Sequence, residues 1–128
     1  MVMRFLSVAV ALAIHDRQLA EHGGAAGVKD IGLLESALAR PVNKHAYGEE
    51  YPCALAAAYC FGVARNHPFV DGNKRTAWVL GRLFLAMNAV ELAFQKEEAI
   101  TMMIALAAGE LSEAEVTAWF RAHLLAQG

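Results

Sequence analysis

His67, Asp71, Asn73, Lys74 and Arg75 fall within nine consecutive residues of the segment HPFVDGNKRTA, His67 to Ala77. An imidazole titrates near neutral pH and can take a proton from a hydroxyl. A carboxylate beside bound phosphates can hold Mg²⁺, which needs only one or two protein oxygens. A forked guanidinium and an ammonium both suit phosphate oxygens. Together these residue types point to chemistry on a phosphate-bearing ligand. Each also has a plainer use. His67 can cap the preceding helix, Asp71 before Gly72 is a common turn pair, and Asn73 is a good helix cap. Lys74 and Arg75 can simply face solvent.

The local elements favour function. Pro68 cannot sit inside a helix, and Gly72 frees the backbone. The segment therefore closes one helix and opens another from about Lys74. Two cations in a first helical turn oppose the helix dipole unless an anion arrives. Gly72, Asn73 and the first amides of the new helix would cradle phosphate oxygens. Phe69 is expected to anchor the loop in the core. Arg65, just before the loop, can either reach phosphate or satisfy the end of its own helix.

The surrounding elements are all helical. A first helix is expected from about Ser7 to His22, ended by Gly23 and Gly24. Arg4 followed by FLSVAVALAI has the outline of a short signal peptide, but the apolar pattern runs on to Leu19 and favours an amphipathic helix. The second helix should begin at the cap Asp30 and stop before Pro41, burying Leu33, Leu34, Ala37 and Leu38. Asn43 to Tyr51, NKHAYGEEY, is polar and is expected as a surface loop or small hairpin. Pro52 suits a first helical position, and the helix it opens should run to Asn66. That helix is apolar on nearly all sides, so it should be central. Lys74 to Met87 forms the next helix, Val90 to Phe94 is short and irregular, and Lys96 to Ala108 is a fifth helix. Ser112 and Glu115 form a capping box for a last helix reaching about Leu125. The expected fold class is all-α: one domain over residues 1–128, with about six helices around one hydrophobic helix.

A chain of 128 residues can bury a real core. Its hydrophobic content of 57% exceeds the usual ~45–50%, which suits either packed helices or an apolar surface reserved for a partner. The net charge of −2 gives no electrostatic footprint for direct nucleic-acid binding. Cys53 and Cys60, seven apart on one helix, would lie ~10 Å apart, too far to bridge. Two free thiols fit a reducing cytoplasm. The longest uncharged stretch, Pro52 to Ala64, is shorter than the ~18 residues that span a bilayer, so no membrane partner is expected. His15, His22, His45 and His123 share no spacing and are expected to be ordinary surface or core residues.

The loop resembles that of the Fic/Doc family. Fic members carry HPFx(D/E)GNGR, whereas the Doc branch has the form HxFxDxNKR. His67, Phe69, Asp71, Asn73, Lys74 and Arg75 all match the Doc form. The opening AIHDRQLAEHGGAAGVKDIGLLESALARP is similar to a Doc-type N-terminal region, so the resemblance covers nearly the whole chain. It implies that His67 is the base that activates a hydroxyl on a target protein and that Asp71 holds Mg²⁺. Gly72, Asn73, Lys74 and Arg75, with Arg65, would hold the phosphates of ATP. The NKHAYGEEY segment, with Tyr47, stands where the family has a flap that grips target backbone by strand addition.

Lys74 replaces the Fic Gly, which implies a reversed nucleotide whose γ-phosphate faces the acceptor. Trp78 stands where many Fic proteins have a second Arg, and Val79 where the Doc pattern can have Asn. The implied activity is that of a Doc-type toxin of a toxin–antitoxin pair. It is a protein kinase that transfers the γ-phosphate to a translation protein, elongation factor Tu in the family. The implied partner is a cognate antitoxin, with DNA reached only through it. Fic-type AMP transfer is the rival that Lys74 opposes. A non-catalytic module that binds an antitoxin or repressor is the rival that His67 and Asp71 oppose.

Overall fold

The computed structural model describes residues 2–125. Six helices follow in order: α1 Val8–His22, α2 Ile31–Ala46, α3 Pro52–Asn66, α4 Asn73–Met87, α5 Lys96–Ala107 and α6 Glu113–Ala122. Among the described residues the only β pairing is two isolated bridges, Val28 with Phe69 and Leu92 with Leu124. The expected all-α architecture is the one observed. Ser7 caps α1 through the Val10 amide, Asp30 caps α2 through the Leu33 amide, and Ser112 with Glu115 forms the expected capping box on α6.

α3 is the axis. Every residue from Cys53 to Ala64 is buried except Phe61, and the helix packs against α2, α4, α5 and α6. Its run of Ala and Gly removes side-chain bulk, so neighbouring backbones can approach. α1 lies against α4, and the Leu6 amide ahead of it donates to the Tyr59 hydroxyl on α3 at 2.9 Å. Trp78, Phe94, Trp119 and Phe120 cluster at the join of α4 and α6, Trp78 edge-on to Phe94 and Trp119 and stacked on Phe120. Both cysteines are buried and free, and burial pushes the Cys60 thiol up to about 12.

Several boundaries differ from expectation, that of α5 only by ending at Ala107, one residue early. α2 does not stop before Pro41 but runs through it to Ala46. An interior proline costs roughly 3 kcal/mol. Here the ring is buried in the stripe of Leu34, Ala37 and Leu38, and Glu113 on α6 pairs with both Arg40 and Lys44 on either side of it. Consequently Asn43–Ala46 is helix, followed by a Tyr47–Gly48 turn, and no hairpin forms there among the described residues. α6 ends at Ala122 rather than near Leu125. Its next residues pair instead with the 90–94 segment, the Ala93 amide to the His123 carbonyl at 2.8 Å and the Leu125 amide to the Glu91 carbonyl at 2.9 Å. α4 begins one residue early, at Asn73, with consequences described below.

At Gly81 α4 approaches α3 closely. A Cβ there would lie 2.5 Å from Cys60 Sγ and 3.2 Å from the Ala56 carbonyl oxygen. Alanine would gain up to ~1 kcal/mol in helix propensity, but overpacking typically costs ~1–3 kcal/mol. Gly81→Ala is therefore expected to lower the urea midpoint, and adding Cys60→Ala should recover part of the loss. Strictly additive effects of the two changes would show that they do not share this space.

Candidate functional site

The site is the turn between α3 and α4. Pro68 ends α3, and His67 before it is left in the left-handed region at φ 51. That conformation costs a residue with a Cβ ~1–2 kcal/mol, so the surroundings must over-determine it. They do so from both sides. The Pro68 carbonyl accepts the Lys29 and Asp30 amides at 2.8 and 3.1 Å, and the Val70 amide donates to the Gly27 carbonyl at 3.1 Å. The segment before α2 is thus laced to the loop. Asn66 ties the end of α3 to the Leu33 carbonyl at 3.1 Å.

Asn73 does not cap α4. Gly72 is the capping residue, in the left-handed region at φ 76, and no side chain caps the helix. The Asn73 carboxamide, 6% exposed, turns back onto Phe69. Its Oδ1 accepts the Phe69 amide at 3.0 Å, and its Nδ2 donates to the Phe69 carbonyl at 2.9 Å. One side chain thereby satisfies both backbone groups of a buried residue. The first turn of α4 keeps its amides free of any side-chain cap, with Lys74 and Arg75 exposed beside them. Free amides at the positive end of a helix dipole suit an anion.

The same carboxamide meets His67, with Asn73 Nδ2 3.3 Å from Nδ1 of the exposed ring. Phe69 fixes the amide orientation, so Nδ2 offers its second hydrogen and Nδ1 accepts. The neutral ring at rest then carries its proton on Nε2. At 3.3 Å this is a weak contact.

Asp71 is exposed and organised by backbone amides. Oδ1 accepts from Gly72 at 2.8 Å and Oδ2 from Ala25 at 3.2 Å. The Gly72 amide first, then the Ala25 amide and more weakly the Arg75 charge, hold its carboxyl below the usual range. The group is ionised at neutral pH, and each oxygen, having accepted one hydrogen, keeps capacity for another partner. Among the described residues no group of three or more His, Cys, Asp or Glu could enclose a metal. A single ionised carboxylate still fits Mg²⁺, which takes most of its ligands from phosphates and water.

Other expected residues lie further out. The Arg65 guanidinium sits 5.3 Å over the Phe61 ring and beside Gly109, with no hydrogen bond to the loop among the described residues. Tyr47 is 93% exposed on the turn after α2. Trp78 belongs to the aromatic cluster and Val79 is half-buried. Phe69 is the expected core anchor, 1% exposed. Thr76 Oγ1 is buried without a partner, which nothing in the site explains.

Sequence reasoning missed His15. It is buried on α1, stacks on Phe69 and reaches the Asp71 carbonyl. A signal was available: Ala11, His15 and Leu19 share one helical stripe, so His15 is a polar group on an apolar face. The 24–28 segment was missed as well. Gly24 has φ 122, which favours glycine, and a Cβ there would lie 2.8 Å from Asp71 Oδ2 and displace the carboxylate.

Residues 5–85 match the family described as Fic/DOC, a span from the start of the chain through most of α4. "Protein kinase doc" of Escherichia phage P1 is 35% identical over 115 residues, 89% of this chain and 90% of that protein. "Toxin Doc" of Mycolicibacterium smegmatis (strain ATCC 700084 / mc(2)155) is 50% identical over 74 residues, 56% of each chain.

The position of Asn73 is testable by substitution. An exposed capping Asn tolerates Asp with little loss. The buried ring on Phe69 does not, because a second carboxylate oxygen would face the Phe69 carbonyl. Asn73→Ala would leave two buried backbone groups unpaired, at ~1–3 kcal/mol for each such group. Both variants are expected to lower the thermal midpoint, Asp giving no rescue. An Asn73→Asp protein as stable as the parent would mean that the ring on Phe69 does not hold the loop.

Proposed function

The chain belongs to the Fic/DOC family, and we propose that it is a Doc-type toxin that acts as a protein kinase on Mg-ATP. The observation that carries the kinase reading is Lys74, an exposed cation at the uncapped start of α4 where the Fic loop has Gly. A fixed positive charge there favours an outer phosphate at the reacting position. In the proposed reaction an acceptor hydroxyl oxygen bonds to the γ-phosphorus. The bond from that phosphorus to the bridging oxygen breaks, and ADP leaves with the electron pair. The hydroxyl proton passes to His67.

The amides of α4 with Gly72, Lys74 and Arg75 orient the phosphates. Preorganised donors of this kind supply most of the catalysis in phosphoryl transfer. To receive a proton at Nε2, His67 must first move its own proton to Nδ1 and give up the contact with Asn73. A weak hydrogen bond is worth at most ~1 kcal/mol, so this is a small barrier beside the ~10²–10⁴ in rate that a positioned base supplies. Asp71 would hold Mg²⁺ through its free lone pairs. Bound Mg²⁺ neutralises phosphate charge.

The proposed acceptor is a hydroxyl side chain of a translation protein, elongation factor Tu by family resemblance, and the proposed partner is a cognate antitoxin. Arg65 would join the phosphate site only by leaving Phe61. Among the described residues no helix is long and apolar enough to cross a membrane, and the proposed place of action is the cytoplasm, where translation proceeds.

Two measurements test the activity. In a bacterial lysate with Mg²⁺ and ATP labelled at either end, γ-label and not α-label is expected on one abundant protein. Transfer of α-label would replace the kinase with AMP transfer, and transfer of neither would favour a binding module. Lys74→Gly should keep the fold, since a Gly in the first turn costs up to ~1 kcal/mol and removing a cation from the positive helix end returns ~0.3–1 kcal/mol. Phosphorylation should fall at least about tenfold, because a counter-charge at the transferring group is lost. Full activity in that variant would remove Lys74 from the mechanism.

A further inference from the structure

We infer that His15, on α1, is a positioning residue for Asp71: one ring both supports the loop at Phe69 and fixes the peptide that carries the carboxylate. His15 is 2% exposed. Its face stacks on the Phe69 ring at 3.7 Å between centroids and 7° between planes. Its Nε2 lies 2.8 Å from the Asp71 carbonyl oxygen. A carbonyl only accepts, so Nε2 is the donor and the tautomer is set. The two contacts fall on either side of Val70, at the residues that frame the turn.

The Asp71 peptide is otherwise weakly held. Its side chain is exposed, and the amides that organise it come from Gly72, the next residue, and from Ala25 on a loop. Neither comes from a helix interior. His15 is the tie from this peptide to a rigid element, and it sits on the helix whose Leu19 also packs 3.5 Å from the Cβ position of Gly72. Sites held by side chains on helices are placed more precisely than sites held by loops alone. A carbonyl that rotates by a few tens of degrees carries the carboxylate with it, away from the Ala25 amide and from any cation it shares with phosphate.

Two substitutions divide the two roles of the ring. His15→Phe keeps the stack and deletes the donor. His15→Gln keeps a donor at the reach of Nε2 and deletes the stack. Amide hydrogen exchange on the protein without nucleotide reads the tie directly. In His15→Phe the Gly72 and Ala25 amides should exchange about fivefold faster, the change expected for loss of one hydrogen bond in a local opening equilibrium. In His15→Gln they should stay within about twofold of the parent. The catalytic arm rests on the kinase proposal above. There His15→Phe should raise the Mg²⁺ concentration for half-maximal transfer at least about fivefold with a smaller change in KM for the acceptor, and His15→Gln should restore it. If the parent shows no transfer, the kinase reading fails while the exchange arm still decides the role of His15. Parent-like exchange in His15→Phe, or a larger defect in His15→Gln than in His15→Phe, would overturn the inference and leave His15 as a packing residue.

Discussion

The interaction on which the site depends is the closure of the Asn73 carboxamide on the backbone of Phe69. Phe69 must be buried, because its ring anchors the turn in the core. Burial would strand an amide and a carbonyl, each costly without a partner. Asn73 satisfies both with one planar group. Because it is committed there, it cannot cap α4, and Gly72 takes that place without a side chain. The open helix end is thus a by-product of a core requirement. The left-handed His67 is the other by-product, since the chain must leave α3 sharply to bring Phe69 inward.

This turn needs a stiff base, and α3 provides it. A helix apolar on all sides can sit in the middle of the molecule and touch four others. Its small residues let α4 approach at Gly81, where almost no space remains. The two helices that carry the turn are therefore locked together along their middles. α1 and the segment before α2 close over the turn from outside. These two elements, distant in sequence from the turn, each contribute hydrogen bonds that the turn could not make alone.

Charge is distributed to match. Asp71 is kept ionised by backbone amides, while Lys74 and Arg75 stand exposed at the positive end of α4. Cations at that end are unfavourable in the free protein, and a bound polyphosphate would reverse the sign of that term. The family match spans this region.

Composition, period and caps by themselves determined six helices, their order, the central place of α3 and the residues of the loop. These are short-range properties: Ser7, Asp30 and Ser112 act within three residues of themselves, and an apolar stripe repeats every turn. Whatever depended on a distant partner was decided by the tertiary structure. α2 continues through Pro41 because the core covers the ring and Glu113 holds Arg40 and Lys44. α6 stops early because its last residues pair with the 90–94 segment. Asn73 turns inward because Phe69 is buried. His15, 56 residues from Asp71, is an ordinary histidine in sequence and becomes part of the site only when α1 packs on α4. Local signals name the groups that could do chemistry. The packing of remote elements decides which of them are held in place to do it.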